Sequence, residues 1–320
     1  MEKTKITGPV YDARELGTPK TLVLGIQHMF AMFGSTVLVP QLTGLSVSAT
    51  LLFAGLGTLL FHLVSKRKVP AFLGSSFAFL AGYFAIAPHG EKELLPYACL
   101  AVACSSLLYF ILAGLIKAFG VKKVMKFFPP VVTGPIIVSI GLTLSQSAIN
   151  SCSTNWIIAL VAIVVIVVLN IWGRGMVKIL PILLSAIASY IVAAIIGKVD
   201  FSPVANASWI GLPVKAEDTV FAIFKNPDTS LIITSIITIM PLAIATMMEH
   251  IGDIAAISST VNRNFFDDPG LHRTLLGDGL ATLTASIFGA PANTTYGENT
   301  GVLTLSKVYD PRVIRLAACF

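Results

Sequence analysis

The chain has 320 residues, 55% of them apolar and only 12% charged, with a net charge of +6 and a mean hydropathy of +0.84. Such a balance excludes an ordinary soluble domain and describes a polytopic membrane protein, since a bilayer core about 30 Å thick takes roughly 20 apolar residues per helix. No basic stripe with interleaved aromatics accompanies the positive charge, so a nucleic-acid partner is not expected.

In chain order, residues 1–20 are polar, lack the pattern of a cleavable leader and read as a cytoplasmic N-terminus. Apolar runs bounded by charged, Pro or Gly punctuation then predict spans at 21–40, 46–64, 71–88, 94–116, 129–149, 155–173, 179–197, 230–256, 271–289, 292–306 and from 312 onward. The last run stops at Phe320, too short to cross, so the sequence is read as the N-terminal part of a longer protein. Of the 22 Lys and Arg, only Lys92, Lys198, Lys215 and Lys225 fall outside the segments that this map makes cytoplasmic. That asymmetry obeys the positive-inside rule and places the protein in the cell membrane with its N-terminus inside. Cys99, Cys104, Cys152 and Cys319 are scattered and have neither disulfide-framework nor metal spacing.

Two short matches recur at nearly one interval. Gln27-His28 has a counterpart in Glu249-His250, and Pro70-Ala71 one in Pro291-Ala292. Each member falls in the corresponding span of its half, the first or eighth and the third or tenth, which predicts a repeat of seven spans. Seven is odd, so the second copy enters the membrane from the opposite side, the arrangement of secondary carriers. The third and tenth spans, "VPAFLGSSFAF" and "APANTTYGENTG", place Pro, Gly, Ser, Thr and Asn at membrane depth. Short extended segments are therefore expected to break them around a protein-lined cavity, the competing reading being ordinary kinked helices with small packing residues.

Glu249 and Glu298 are costly in these surroundings, about 2.5–3.5 kcal/mol for a central acid, so functional use is the default reading. Asp253 follows Glu249 by one helical turn and shares its face. Two acids on one face in a low dielectric titrate as a unit and are able to carry a proton. The competing readings are a structural pairing of Glu249 with His28 or His250, and for Asp253 an interfacial role. Asp278, in "LLGDGLATL", is a weaker candidate.

At these same residues the sequence resembles the nucleobase-ascorbate transporter family. Glu298-Asn299-Thr300-Gly301, followed after four residues by Ser306-Lys307, is similar to the family signature E/Q-N-x-G-x4-T-R/K/G, with Ser in place of the usual Thr. Gln27-His28 resembles its first-span motif, and "GSSFAF" and "TTYGEN" its third and tenth segments. Within the family the resemblance is strongest to bacterial uracil:proton symporters. It implies an all-α fold of fourteen spans in two inverted repeats of seven, about eleven of them present here. By that analogy a core domain comprises 21–126 (spans 1–4) and 230–320 (spans 8–11), and 127–229 (spans 5–7) is half of a gate domain whose spans 12–14 are absent. Glu249 and Glu298 would accept hydrogen bonds from the ring N–H groups of uracil, and Phe77 would pack beside the base. The amides of Phe77, Tyr296 and Gly297 would donate to its carbonyls, and Ser35 joins the substrate's neighbours. Glu249, Asp253, His250 and Glu298 would couple transport to protons, with Na+ as the alternative ion. A homodimer is allowed, and no cofactor is expected.

Asp253 departs from the His that uracil symporters carry at that position and matches several purine carriers, so a xanthine or urate permease is the alternative. Glu298 argues for uracil, since purine members often carry Gln there. An ion channel is the rival of another class, but it calls for a continuous polar pore. No Walker loop, H-E-x-x-H or nucleophile with an oriented base marks an enzyme.

Overall fold

The computed structural model describes residues 8–124, 126, 130–174, 177, 181–205 and 211–320; Lys3, Lys5 and Lys178, three of the basic residues assigned to the inner side, lie outside them. Helices occupy most of the apolar runs. Helix α1 is Thr18–Thr43, α2 Val47–Val64, and α3 Leu80–Ile86, preceded by the strand β1, Leu73–Ser75. Then come α4, Leu95–Phe119, α5, Pro130–Ser153, α6, Trp156–Trp172, and α7, Pro181–Ile195. The last third contains α8, Thr229–Ile239, α9, Ala243–Val261, α10, Leu271–Ile287, the strand β2, Asn293–Thr295, α11, Gly297–Ser306, and α12, Pro311–Cys319. Four stretches among the described residues, Thr18–Thr43, Val47–Val64, Leu95–Phe119 and Thr229–Val261, are long and apolar enough to cross a membrane.

The run at 230–256 departs from a plain helix: α8 and α9 meet at a tight turn over Met240–Leu242. Pro241 brings no amide hydrogen to that turn, so the regular ladder is interrupted there. Between α1 and α2 the chain reverses at Gly44, whose φ of +82° is left-handed, and a Cβ there would lie 3.1 Å from the backbone of Gly90. Ser46 then caps α2 by accepting the amide of Ala49 at 3.3 Å.

The chain forms two compact units, Met1–Ile137 with Pro213–Phe320, and Val138–Leu212. In the first, α10 packs against α4 and α2, and α12 against α1 and α2. Small residues make the approach close: a Cβ on Gly279 would stand 2.7 Å from that of Tyr109, and one on Gly55 only 2.4 Å from the carbonyl oxygen of Ala318. In the second unit α6 and α7 pack on each other. Helix α6 buries none of its residues and exposes Trp156, Ile157, Leu160, Ile163 and Trp172. An apolar helix so exposed is the form lipid contact selects.

Strands β1 and β2 pair antiparallel, Leu73 opposite Thr295, Gly74 opposite Thr294 and Ser75 opposite Asn293. A two-stranded ladder leaves its outer backbone groups unpaired, and side chains from neighbouring helices take them up. Thr58 of α2 accepts the Leu73 amide at 2.9 Å and donates to the Leu73 carbonyl at 3.1 Å. Thr282 of α10 donates to the Asn293 carbonyl at 2.7 Å, and the Asn293 amide group reaches the Phe53 carbonyl at 2.9 Å.

The loops of the first unit gather at two ends. At one, Val10 bridges Val308, Arg312 pairs with Asp12, Arg263 lies over the ring of Tyr11, and Lys68 pairs with Asp268. At the other, Gly44 meets Gly90, Tyr97 bonds the Asn226 carbonyl, and Lys92 and Lys225 border one cleft.

Candidate functional site

Both strands end where a helix is about to begin. Helix α11 starts at Gly297, directly after β2 and Tyr296, so Glu298 stands in its first turn, where the free amides and the helix dipole favour an anion. Ser35 of α1 donates to Glu298 Oε1 at 3.0 Å across 263 residues of sequence. Helix α9, packed on both β2 and α11, brings Glu249 and Asp253 to the same place. Glu249 is half-buried, and its Oε2 is buried with no hydrogen-bond partner. Asp253 accepts a hydrogen bond from Thr295 of β2 at 2.9 Å, and its Oδ1 lies against Gly297. The carboxylates of Glu249, Asp253, Asp278 and Glu298 are close enough for their charges to interact.

His250 points elsewhere. Its fully buried ring sets Nδ1 3.3 Å from Asp278 Oδ2 on α10 and 3.4 Å from the hydroxyl of Thr295, with Phe61 edge-on to the ring. His28 is also buried and neighbours Asn299, whose side-chain amide donates to the Pro70 carbonyl at 2.7 Å. Neither histidine therefore pairs with Glu249, which removes the structural pairing considered for that acid.

Tyr296 closes the strand pair. Its hydroxyl donates to the Ser75 carbonyl at 2.9 Å, and its ring crosses Gly74, where a Cβ would come within 2.4 Å of a ring carbon. The Tyr296 amide donates to the Phe72 carbonyl at 3.1 Å. That corrects the expectation that this amide is free for a ligand: antiparallel pairing uses it first. The amides of Phe77 and Gly297 donate to no carbonyl among the described residues, and the Phe77 side chain is half-buried beside them in sequence, between β1 and α3.

Asp278 and Thr295 matter more than the sequence suggested. Both are fully or almost fully buried, and they tie α10, β2 and α9 together through His250 and Asp253. The available signal for Asp278 was an acid between two glycines, Gly277 and Gly279, in an apolar helix. A carboxylate with a buried free oxygen, a second carboxylate fixed by a serine, and amides at two chain breaks that donate to no carbonyl offer both acceptors and donors to a polar ligand. Among the described residues no group of three or more His, Cys, Asp or Glu is arranged to hold a metal.

The model of the permease family Xan_ur_permease matches residues 19–320. The uracil permease of Bacillus caldolyticus is 39% identical over 320 residues, covering 97% of this chain and 72% of the relative. The uracil permease of Escherichia coli K12 is 35% identical over 312 residues, 94% of this chain and 69% of the relative. The putative pyrimidine permease RutG of the same strain is 33% identical and covers 98% and 71%. Among solved structures, the transmembrane domain of a cyanobacterial bicarbonate transporter, BicA, has the same fold, with a TM-score of 0.69 at 14% identity over 98% of this chain and 83% of that one.

Proposed function

This chain belongs to the permease family, a multi-pass membrane protein, and on that premise we propose that it imports uracil by proton symport. Its similarity to uracil permeases at 35–39% identity over most of its length supports the substrate. What supports the mechanism is a second acid, Glu249, whose buried Oε2 lacks a partner, on the helix packed against the one that carries Glu298, itself held by Ser35. Uracil offers two ring N–H groups, and each carboxylate accepts one. The amides of Phe77 and Gly297 donate to the ring carbonyls, while Phe77 stacks on the base. A charge-assisted hydrogen bond of this kind contributes about 1.5–3 kcal/mol before desolvation is subtracted.

The strand-helix breaks at β1–α3 and β2–α11 are the discontinuous third and tenth spans of two inverted repeats in this proposal, and the antiparallel pairing of β1 with β2 supports it, since inverted copies bring equivalent strands together head to tail. In this proposal residues 21–126 and 230–320 make the core domain, 127–229 contribute to the gate, and transport is by alternating access. Asp253, with Thr295 donating to it and the His250–Asp278 pair behind Thr295, provides buried acids through which a proton crosses.

The test is uptake of radiolabelled uracil by the full-length protein in proteoliposomes, with and without an imposed inward proton gradient. Accelerated, saturable uptake under the gradient is expected, and excess xanthine leaves it unchanged. Uptake indifferent to the gradient would remove proton coupling; saturable xanthine uptake without uracil uptake would replace the pyrimidine with a purine.

A further inference from the structure

At the basic end of the first unit, a groove of about 520 Å³ lies between the turn at Ala13–Leu16, the start of α1 and the side of α12. It has no part in the uracil site. Helices α1 and α12 both begin at this end, where Asp12 meets Arg312, and run inward until Gly25 touches Leu316. Along both helices the lining changes in the same order, from Arg14, Thr18, Arg312 and Arg315 to Leu22 and Leu316. The groove is therefore polar and cationic at its mouth and apolar further in.

Its charges are unevenly matched. Asp12 takes Arg312 at 3.1 Å and Arg14 at 3.9 Å. Asp310 is engaged with backbone, accepting the amides of Ala13 at 2.7 Å and Arg312 at 2.9 Å. The lining itself holds three arginines, Arg14, Arg312 and Arg315, and no acid; Asp310 is near Arg315, but Arg67 and Arg312 add further positive charge beside it. Three guanidinium groups with no carboxylate in the lining leave an excess of positive charge at the groove, which an anionic oxygen complements. Arginine suits a phosphate, because its planar fork donates two parallel hydrogen bonds.

We propose that this groove seats an anionic phospholipid, the headgroup phosphate held by Arg315 and Arg14 and an acyl chain lying along Leu22 and Leu316. The order of polar and apolar lining matches an amphiphile rather than a free ion. The basic end is the one the positive-inside rule turns toward the cytoplasmic leaflet, where anionic lipids lie.

The experiment compares the full-length protein in nanodiscs of phosphatidylcholine alone and of phosphatidylcholine with phosphatidylglycerol. Phosphatidylglycerol is expected to raise the melting midpoint; Arg315→Gln loses at least half of that rise, and Lys92→Gln, at the opposite end, keeps it. An equal rise in Arg315→Gln, or no rise in the unmodified protein, overturns the proposal. So does an equal rise from inorganic phosphate in detergent without lipid, which would make the groove a free-anion site. Should Arg315→Gln fail to fold, Arg14→Gln carries the same test, because the Arg14 side chain is 75% exposed and its ion pair with Asp12 spans 3.9 Å.

Discussion

In the proposed site Glu298 is the residue on which substrate recognition turns, and its environment sets the size of the expected effect. Glu298→Gln keeps the shape but replaces a charged acceptor with a neutral one, so uracil affinity should fall by about 1.5 kcal/mol or more, roughly tenfold, by calorimetry on the full-length protein. Unchanged affinity would take Glu298 out of the site. Ser35→Ala removes only the hydroxyl that orients the carboxylate, and a smaller loss, about 0.5–1.5 kcal/mol, is expected in the same titration. Gly74→Ala acts through packing: the new methyl meets the Tyr296 ring at 2.4 Å, and overpacking of this kind costs about 1–3 kcal/mol, read as a lower melting midpoint. The candidacy of the two glutamates was legible in the sequence because an acid in an apolar run stands out. Asp278 was legible only as a weaker candidate, since its partner, His250, reaches it from another helix.

Among the elements, the segment before α1 does more than lead into it. Val10 pairs with Val308, the Tyr11 hydroxyl donates to the Val261 carbonyl at 2.9 Å, and Asp310 takes the Ala13 amide. This strap joins the C-terminal end of α9, which carries Glu249, to the loop after α11, which carries Glu298. Asp310→Ala removes both the cap of α12 and the strap's anchor, a loss of about 1–3 kcal/mol that should appear as faster amide exchange at residues 8–17. A second tie at this end is sensitive to pH. Lys68 donates to Asp268 and holds that carboxyl below its usual range. The tie's contribution is present above the ordinary carboxylate pKa and disappears as pH falls through the lowered one. Asp268→Asn should therefore flatten that part of the melting midpoint's acid dependence.

For the whole molecule, orientation is the property to test. The basic loops at 66–68, 263–273 and 307–315 belong to one end of the first unit, Lys92 and Lys225 to the other. Lys92→Cys in intact cells should react with a membrane-impermeant maleimide, and Lys68→Cys should react only after permeabilisation. The reverse pattern would invert the topology and move the strap and the lipid groove to the outer face.

Composition alone determined that the chain lives in a bilayer, and punctuation in the apolar runs determined where its helices form, because partition into hydrocarbon and backbone satisfaction are local matters. After Pro70 and Pro291 the chain forms the short strands β1 and β2. Only the tertiary structure decided which side chains complete the acids, giving Ser35 to Glu298, Thr295 to Asp253 and Asp278 to His250. It also decided that the Tyr296 amide belongs to Phe72. Those partners are remote in sequence, and a hydrogen bond within about 3 Å depends on how helices and strands approach, which no single run of residues encodes.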